Sequence, residues 1–88
     1  MTEEETLLEF PCRFPIKIMV RGEIDAHPLV MEVVAPHVDD LSADNIVVRP
    51  SKQGNFIAIT VEIEATSKAQ LDTIYQALTD HEHVLMSL

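Results

Sequence analysis

Two stretches of the chain alternate apolar and polar residues, which is the period of a half-buried β-strand. The first is FPIKIMVRG at 14–22, in which every second residue from Phe14 to Val20 is apolar. The second is FIAITVEIEA at 56–65, whose apolar series runs from Ile57 to Ala65. Two shorter stretches, IVV at 46–48 and EHVLMSL at 82–88, predict one further strand each. The pattern therefore predicts four strands.

Two stretches between these strands have helical spacing instead. After Asp25 the apolar residues recur three or four apart and form one stripe, namely Leu29, Val30, Val33, Val34 and Val38. Pro36 lies inside that stripe and removes a backbone hydrogen bond, so we expect this helix to kink or to end near Ala35. The second helix starts at SKAQ, residues 67–70, a capping-box pattern in which Ser67 and Gln70 satisfy free N–H groups.

The order of these elements is β-α-β-β-α-β, which predicts an α+β fold of the ferredoxin-like type. Right-handed crossovers give a four-stranded antiparallel sheet of order 4-1-3-2, with both helices on one face. We expect a single domain over residues 10–88, preceded by a flexible acidic lead-in at residues 1–9. The other face of the sheet then has no helix to cover it.

Charge and composition exclude several classes of partner. Fifteen acidic residues against six basic ones give a net charge of −9, which repels nucleic acid and anionic membranes. The apolar runs are too short to span a bilayer, and the N-terminus opens with acidic residues rather than a secretory signal. The single cysteine, Cys12, cannot form an internal disulfide. We therefore expect a cytoplasmic protein that binds neither nucleic acid nor membrane.

Several segments resemble the YbeD-like family of small bacterial proteins of unknown function. They are LLEFP at 7–11, the strand with Lys17 and Met19, the turn PSKQGN at 50–55, and a strand–helix–strand finish of matching length. The resemblance runs from Leu7 to Leu88. It implies an ACT-like domain, similar to the regulatory domains that bind small effectors, and it brings no established reaction and no catalytic residues.

Candidate chemistry in the sequence is sparse. The turn at 50–55 has one glycine and leads into a strand, so we interpret it as a hairpin with positive φ at Gly54 or Asn55, and not as a phosphate cradle. His81 and His83 supply only two of the ligands that a zinc site needs, so we expect no metal and no cofactor. We also find no nucleophile with a base beside it, and we expect no enzymatic activity. The alternative is a small enzyme that uses groups near Gly22.

The uncovered sheet face is the surface that we expect to carry function. We predict that the site comprises this face and the loop that follows the first strand, with the residues Lys17, Met19, Arg21, Gly22, Val47, Arg49, Phe56 and Leu85. In one interpretation this face is solvated, and Lys17 and Arg21 pair with Glu62 and Glu64. In the other it binds a protein partner or a second copy of the chain, or a small effector binds near Gly22.

Overall fold

The computed structural model describes residues 9–88, which form a four-stranded antiparallel sheet with two α-helices. In chain order the elements are β1 (Cys12–Arg21), α1 (Ala26–Val33), β2 (Ile46–Pro50), β3 (Phe56–Ala65), α2 (Lys68–Asp80) and β4 (Val84–Ser87). The sheet order is β2-β3-β1-β4, which is the predicted 4-1-3-2 order read from the other edge. The ferredoxin-like α+β fold is therefore confirmed. The lead-in predicted for residues 1–9 lies outside the described residues except for Glu9.

The two long strands form the centre of the sheet. β1 and β3 pair over ten residues each, with Ile16 opposite Val61 and Ile18 opposite Ile59. Because opposite residues of an antiparallel pair share a face, this register puts both apolar series on one side. These four side chains are buried beneath Val30 of α1 and the α2 residues Ile74 and Leu78. Within residues 9–88, neither helix is long and apolar enough to cross a membrane.

Pro36 ends the first helix and does not kink it. The amide of Val34 makes the last α-helical bond, to the Val30 carbonyl oxygen at 2.8 Å, and α1 stops at Val33. Pro36 has no N–H with which to continue the series. The chain tightens into a 3₁₀ turn over Ala35–His37, in which the amide of His37 donates to the Val34 carbonyl at 3.0 Å.

The start of α2 uses its cap residues in a different way from the one predicted. The Ser67 hydroxyl accepts a hydrogen bond from the backbone N–H of Gln70 at 3.0 Å, as a capping box requires. The side-chain oxygen of Gln70 accepts from the backbone N–H of Thr66 at 2.7 Å, one residue earlier than expected. Its side-chain nitrogen donates to the His37 carbonyl at 2.8 Å, so Gln70 also holds the turn that follows α1.

The segment between β2 and β3 is the predicted hairpin turn. Gly54 adopts a φ of 76°, a left-handed value that glycine tolerates without steric cost. The amide of Ser51 donates to the Phe56 carbonyl at 2.8 Å, and the Ser51 hydroxyl accepts from the Phe56 amide at 3.2 Å. The turn that joins the two strands therefore accounts for Ser51 and Gly54 in this segment.

A β-bulge in the last strand changes which of its side chains lie on the uncovered face of the sheet. Val84 lies opposite Val20, whereas Met86 lies opposite the very next β1 residue, Met19, so Leu85 is an extra residue between them. Val84 packs against the core. Met86 shares the uncovered face with Met19. An unbroken alternation from Val84 would turn Met86 towards the core, and the bulge brings it to the open face instead.

Candidate functional site: the open sheet face

The open face is the side of the sheet that neither helix covers, and the register defines its members. They are Arg13, Pro15, Lys17, Met19 and Arg21 of β1, Val47 and Arg49 of β2, Phe56, Ala58, Thr60, Glu62 and Glu64 of β3, Met86 of β4, and Leu88 after it. Each faces the same way as its partner on the neighbouring strand.

The centre of the open face is a shallow apolar depression. It has a volume of about 570 Å³ and is lined mainly by Lys17, Met19, Val47, Arg49, Met86 and Leu88. Val47 is 49% exposed and Met86 is 53% exposed, so large apolar side chains stand uncovered around it. Phe56, which is 41% exposed, is a third large apolar side chain on this face. It lies opposite Arg21, where β1 ends and β3 begins. Contiguous exposed apolar surface is typical of binding sites.

Three basic side chains flank this depression without forming an ion pair. Lys17 lies opposite Thr60, and Arg21 lies opposite Phe56. Arg49 lies opposite Ala58. None of the three makes a side-chain hydrogen bond or salt bridge with any part of the chain that the structure describes. Although the protein has a net charge of −9, this region is cationic and has no salt bridge to a carboxylate within residues 9–88.

The carboxylates of the open face lie in its other half. Glu62 is opposite Pro15, and Glu64 is opposite Arg13, so the predicted pairing of Glu62 and Glu64 with Lys17 and Arg21 is wrong. Lys17 and Arg21 lie opposite Thr60 and Phe56 instead, and no salt bridge joins them to either glutamate within residues 9–88. The open face is therefore divided into a cationic and apolar half and a half that holds both carboxylates.

A second depression borders the half that contains the carboxylates. It has a volume of about 450 Å³, and its lining includes Arg13, Asp39, Asp40, Glu62 and Glu64. Among residues 9–88, no three His, Cys, Asp or Glu side chains come together in a way that could hold a metal ion. The predicted pair of His81 and His83 has ring centroids 5.6 Å apart, and His81 Nδ1 accepts from the His83 amide at 3.1 Å.

Prolines restrict the free edges of the sheet. The backbones of Lys17 and Leu88 exchange hydrogen bonds of 3.0 and 2.7 Å, so Pro15, two residues earlier, faces the same edge beyond the end of β4. On the opposite edge the same alternation turns Pro50 outward from β3. Neither proline has an N–H to offer to an added strand, a common protection of edges. Strand addition is therefore hindered along β2 and beside Pro15, whereas the short edge strand β4 contains no proline.

One helix residue holds the rim of the apolar depression. The Tyr75 hydroxyl donates to the Leu88 carbonyl oxygen at 2.7 Å, and that oxygen also accepts from the Lys17 amide. Burial raises the pKa of Tyr75. Leu88 is thereby fixed beside Lys17 at the edge of the open face.

The loop after β1 is packed against the hairpin. The amide of Gly22 donates to the Asn55 carbonyl at 2.8 Å, and a Cβ added to Gly22 would overlap the carbonyl oxygen of Gly54. This close approach of two backbones is a sufficient reason for glycine at position 22.

The structure brings together most of the residues predicted for the site. Lys17, Met19, Val47 and Arg49 line one depression, and Arg21 and Phe56 lie together at its end. Gly22 is beneath the hairpin, and Leu85 is in the bulge and not in the lining. Sequence reasoning missed Met86 and Leu88. The signal for them is weak, namely a last strand that has apolar residues at both parities.

Comparison with known proteins identifies the family. The model of a family described as proteins of unknown function, DUF493, matches residues 5–88. A UPF0250 protein from Chromobacterium violaceum is 46% identical over 98% of this chain and 97% of its own length. A UPF0250 protein from Neisseria gonorrhoeae is 43% identical over the full length of both chains.

A solved structure agrees with the fold. The solution structure of protein HP0495 from H. pylori covers 100% of this chain and 94% of its own, with a TM-score of 0.71 and 14% identity. At that identity the likeness concerns the fold alone. The family model and the relatives confirm the resemblance: this chain belongs to the DUF493 family of bacterial proteins of unknown function, the YbeD-like UPF0250 proteins.

Proposed function

We propose that this protein is a cytoplasmic binding or regulatory module, without catalytic activity of its own, that holds a partner on the open face. The observation that carries the proposal is the set of three basic side chains, Lys17, Arg21 and Arg49, that lack an ion pair within residues 9–88. They surround exposed apolar residues. Charges that do not pair within the fold remain available to a partner of opposite charge.

The stability of the fold does not account for this arrangement. Like charges on one surface repel each other, and exposed methionine and phenylalanine contribute little to the core. Pro50 also hinders strand addition along the β2 edge. The alternative sites near Gly22, for an effector or for a small enzyme, have less support because backbone packing already accounts for that glycine.

Site-specific photo-crosslinking in the native host tests the proposal. A photoreactive benzoylphenylalanine is placed at Val47 on the open face or at Met31, which is 46% exposed on α1. We expect defined adducts from position 47 and none from position 31, because the two side chains have similar exposure on different surfaces. Adducts from position 31 alone, or from neither position, would contradict the proposal. Adducts of the chain with itself would identify the partner as a second copy of this chain.

A further inference from the structure

The geometry points to a partner of defined chemistry: we infer that the open face binds an acidic, amphipathic helical segment of another protein. This inference rests on the proposed function and deepens it. The three cations, which have no ion pair within residues 9–88, and the apolar depression between them form one continuous surface. An occupant must therefore supply several carboxylates around an apolar stripe.

The spacing of the cations favours an extended occupant over a small anion. Lys17 and Arg21 are four residues apart on β1, which corresponds to about 13 Å along the strand. Arg49 is on β2, which lies two strand spacings, about 10 Å, from β1. Val47 and Met86 are both about half exposed in the free protein. A single small anion would not cover them. On a helix, residues seven and eight apart are separated by about 10.5 and 12 Å along the axis, which is comparable to these distances.

The charges argue against the other classes of occupant. A nucleic acid backbone carries a charge on every phosphate and would meet Glu62 and Glu64 on the same face, whereas a helical segment can present its carboxylates to the cations alone. Base stacking would have Phe56 as its only aromatic on the face, within the described residues. A second copy, in a two-fold contact centred on Met19, would set the cations against each other. A contact centred between the two halves of the face would pair them with Glu62 and Glu64, and adducts of the chain with itself from position 47 would then overturn the inference.

The mode of contact follows from where the cations and the apolar depression lie. Both are made by side chains of the open face, so the segment lies across that face, and Pro50 hinders strand addition along the β2 edge. Helix-in-groove recognition works in this way, with the apolar stripe placed in the depression and charges at its margins. Methionine side chains such as Met19 and Met86 suit this contact because they adapt to the shape of a partner.

Methyl NMR of the four methionines provides the test, with the full chain as the protein. The probe is a designed helical peptide of about 18 residues with a leucine stripe flanked by glutamates. We expect the Met19 and Met86 methyl signals to shift and the Met31 signal to stay in place. A matched peptide with every glutamate replaced by glutamine should bind about tenfold more weakly or worse, since the charge pairs are lost.

Two variants locate the binding energy. Lys17→Gln with Arg49→Gln should raise the Kd of the acidic peptide about tenfold, whereas Lys52→Gln, on the hairpin turn, should change it less than twofold. Equal binding of the glutamate and glutamine peptides, unshifted Met19 and Met86 signals, or comparable shifts from a single-stranded oligonucleotide would overturn the inference. If adducts still form from position 47 while the acidic peptide fails to bind, the inference falls and the proposed function stands. If no adducts form from that position, the proposed function falls.

Discussion

Gly22 and Gly54, the only two glycines of the chain, lie against each other where the end of β1 meets the hairpin between β2 and β3. The amide of Gly22 donates to the Asn55 carbonyl, beside the Gly54 carbonyl oxygen that fills the space of a side chain at position 22. This contact fixes one end of the central strand pair. It also places Arg21 opposite Phe56 at the margin of the open face.

Replacing Gly22 with alanine should destabilise the protein by about 1–3 kcal/mol, because the added methyl group meets backbone that must move. Urea unfolding gives the free energy of unfolding of the variant and of the wild type. Glu23→Ala is the control, since Glu23 is exposed and next in the chain, and it should stay within about 0.5 kcal/mol. Equal stability of the Gly22 variant and the wild type would contradict the packing described here.

Gln70 should contribute more to stability than its position near a helix start suggests. Gln70→Ala removes bonds to the Thr66 amide and to the His37 carbonyl, so we expect a loss of about 1–3 kcal/mol. Gln76→Ala is the matched control on the same helix, because its bond to Asp80 is exposed. Its loss should be about 0.5 kcal/mol or less. Similar losses from both variants, measured by urea unfolding, would show that the link from Gln70 to the turn after α1 contributes nothing.

Tyr75 should make stability depend on pH in the alkaline range. Burial raises its pKa above the ordinary value of 10.0, so folding favours the neutral phenol, which donates to the Leu88 carbonyl. This contribution is fully present below the pKa of the unfolded chain, and it is lost as the pH rises through the higher pKa of the folded state. At neutral pH, Tyr75→Phe should cost about 0.5–1.5 kcal/mol for the hydrogen bond.

The stability difference between wild type and Tyr75→Phe should therefore shrink above about pH 10. Urea unfolding at several pH values measures it. Tyr75 is the only tyrosine, so tyrosinate absorbance reports its titration directly. A difference that stays constant across the alkaline range, or a tyrosinate transition below the ordinary tyrosine pKa, would be inconsistent with a partly buried, hydrogen-bonded Tyr75.

The sequence predicts the fold well because the two long strands carry a clear signal. Ile59, Val61 and Ile63 alternate with polar neighbours, and all three are buried as expected. Lys17 and Arg49 were likewise assigned to the open face by parity alone, and the register places them there. A period of two along a long strand leaves little freedom in which side chains point inward.

The last strand and the long-range contacts were beyond such reasoning. The extra residue Leu85 depends on how β4 meets β1, and no local pattern announces a bulge. Tyr75 has helical spacing typical of a core residue, yet its hydroxyl reaches Leu88. The pairing expected between Lys17 and Glu62 failed because only the register decides which residues face each other across strands.

The unpaired cations should be dispensable for folding. Lys17→Gln with Arg49→Gln should change the free energy of unfolding by less than about 0.5 kcal/mol, because neither residue has a salt bridge to lose within residues 9–88. Urea unfolding measures this against the wild type. A loss above about 2 kcal/mol would mean that these side chains support the fold and that their role in binding cannot be separated from it.

The yield of crosslinked adduct from position 47, measured in the native host with and without the charges of Lys17 and Arg49, tests the role of the open face most directly. The two glutamine substitutions should strongly diminish the adduct while the amount of folded protein stays the same. An undiminished adduct in the substituted protein would contradict the account, because the partner would then be held without the cations that the fold leaves unpaired.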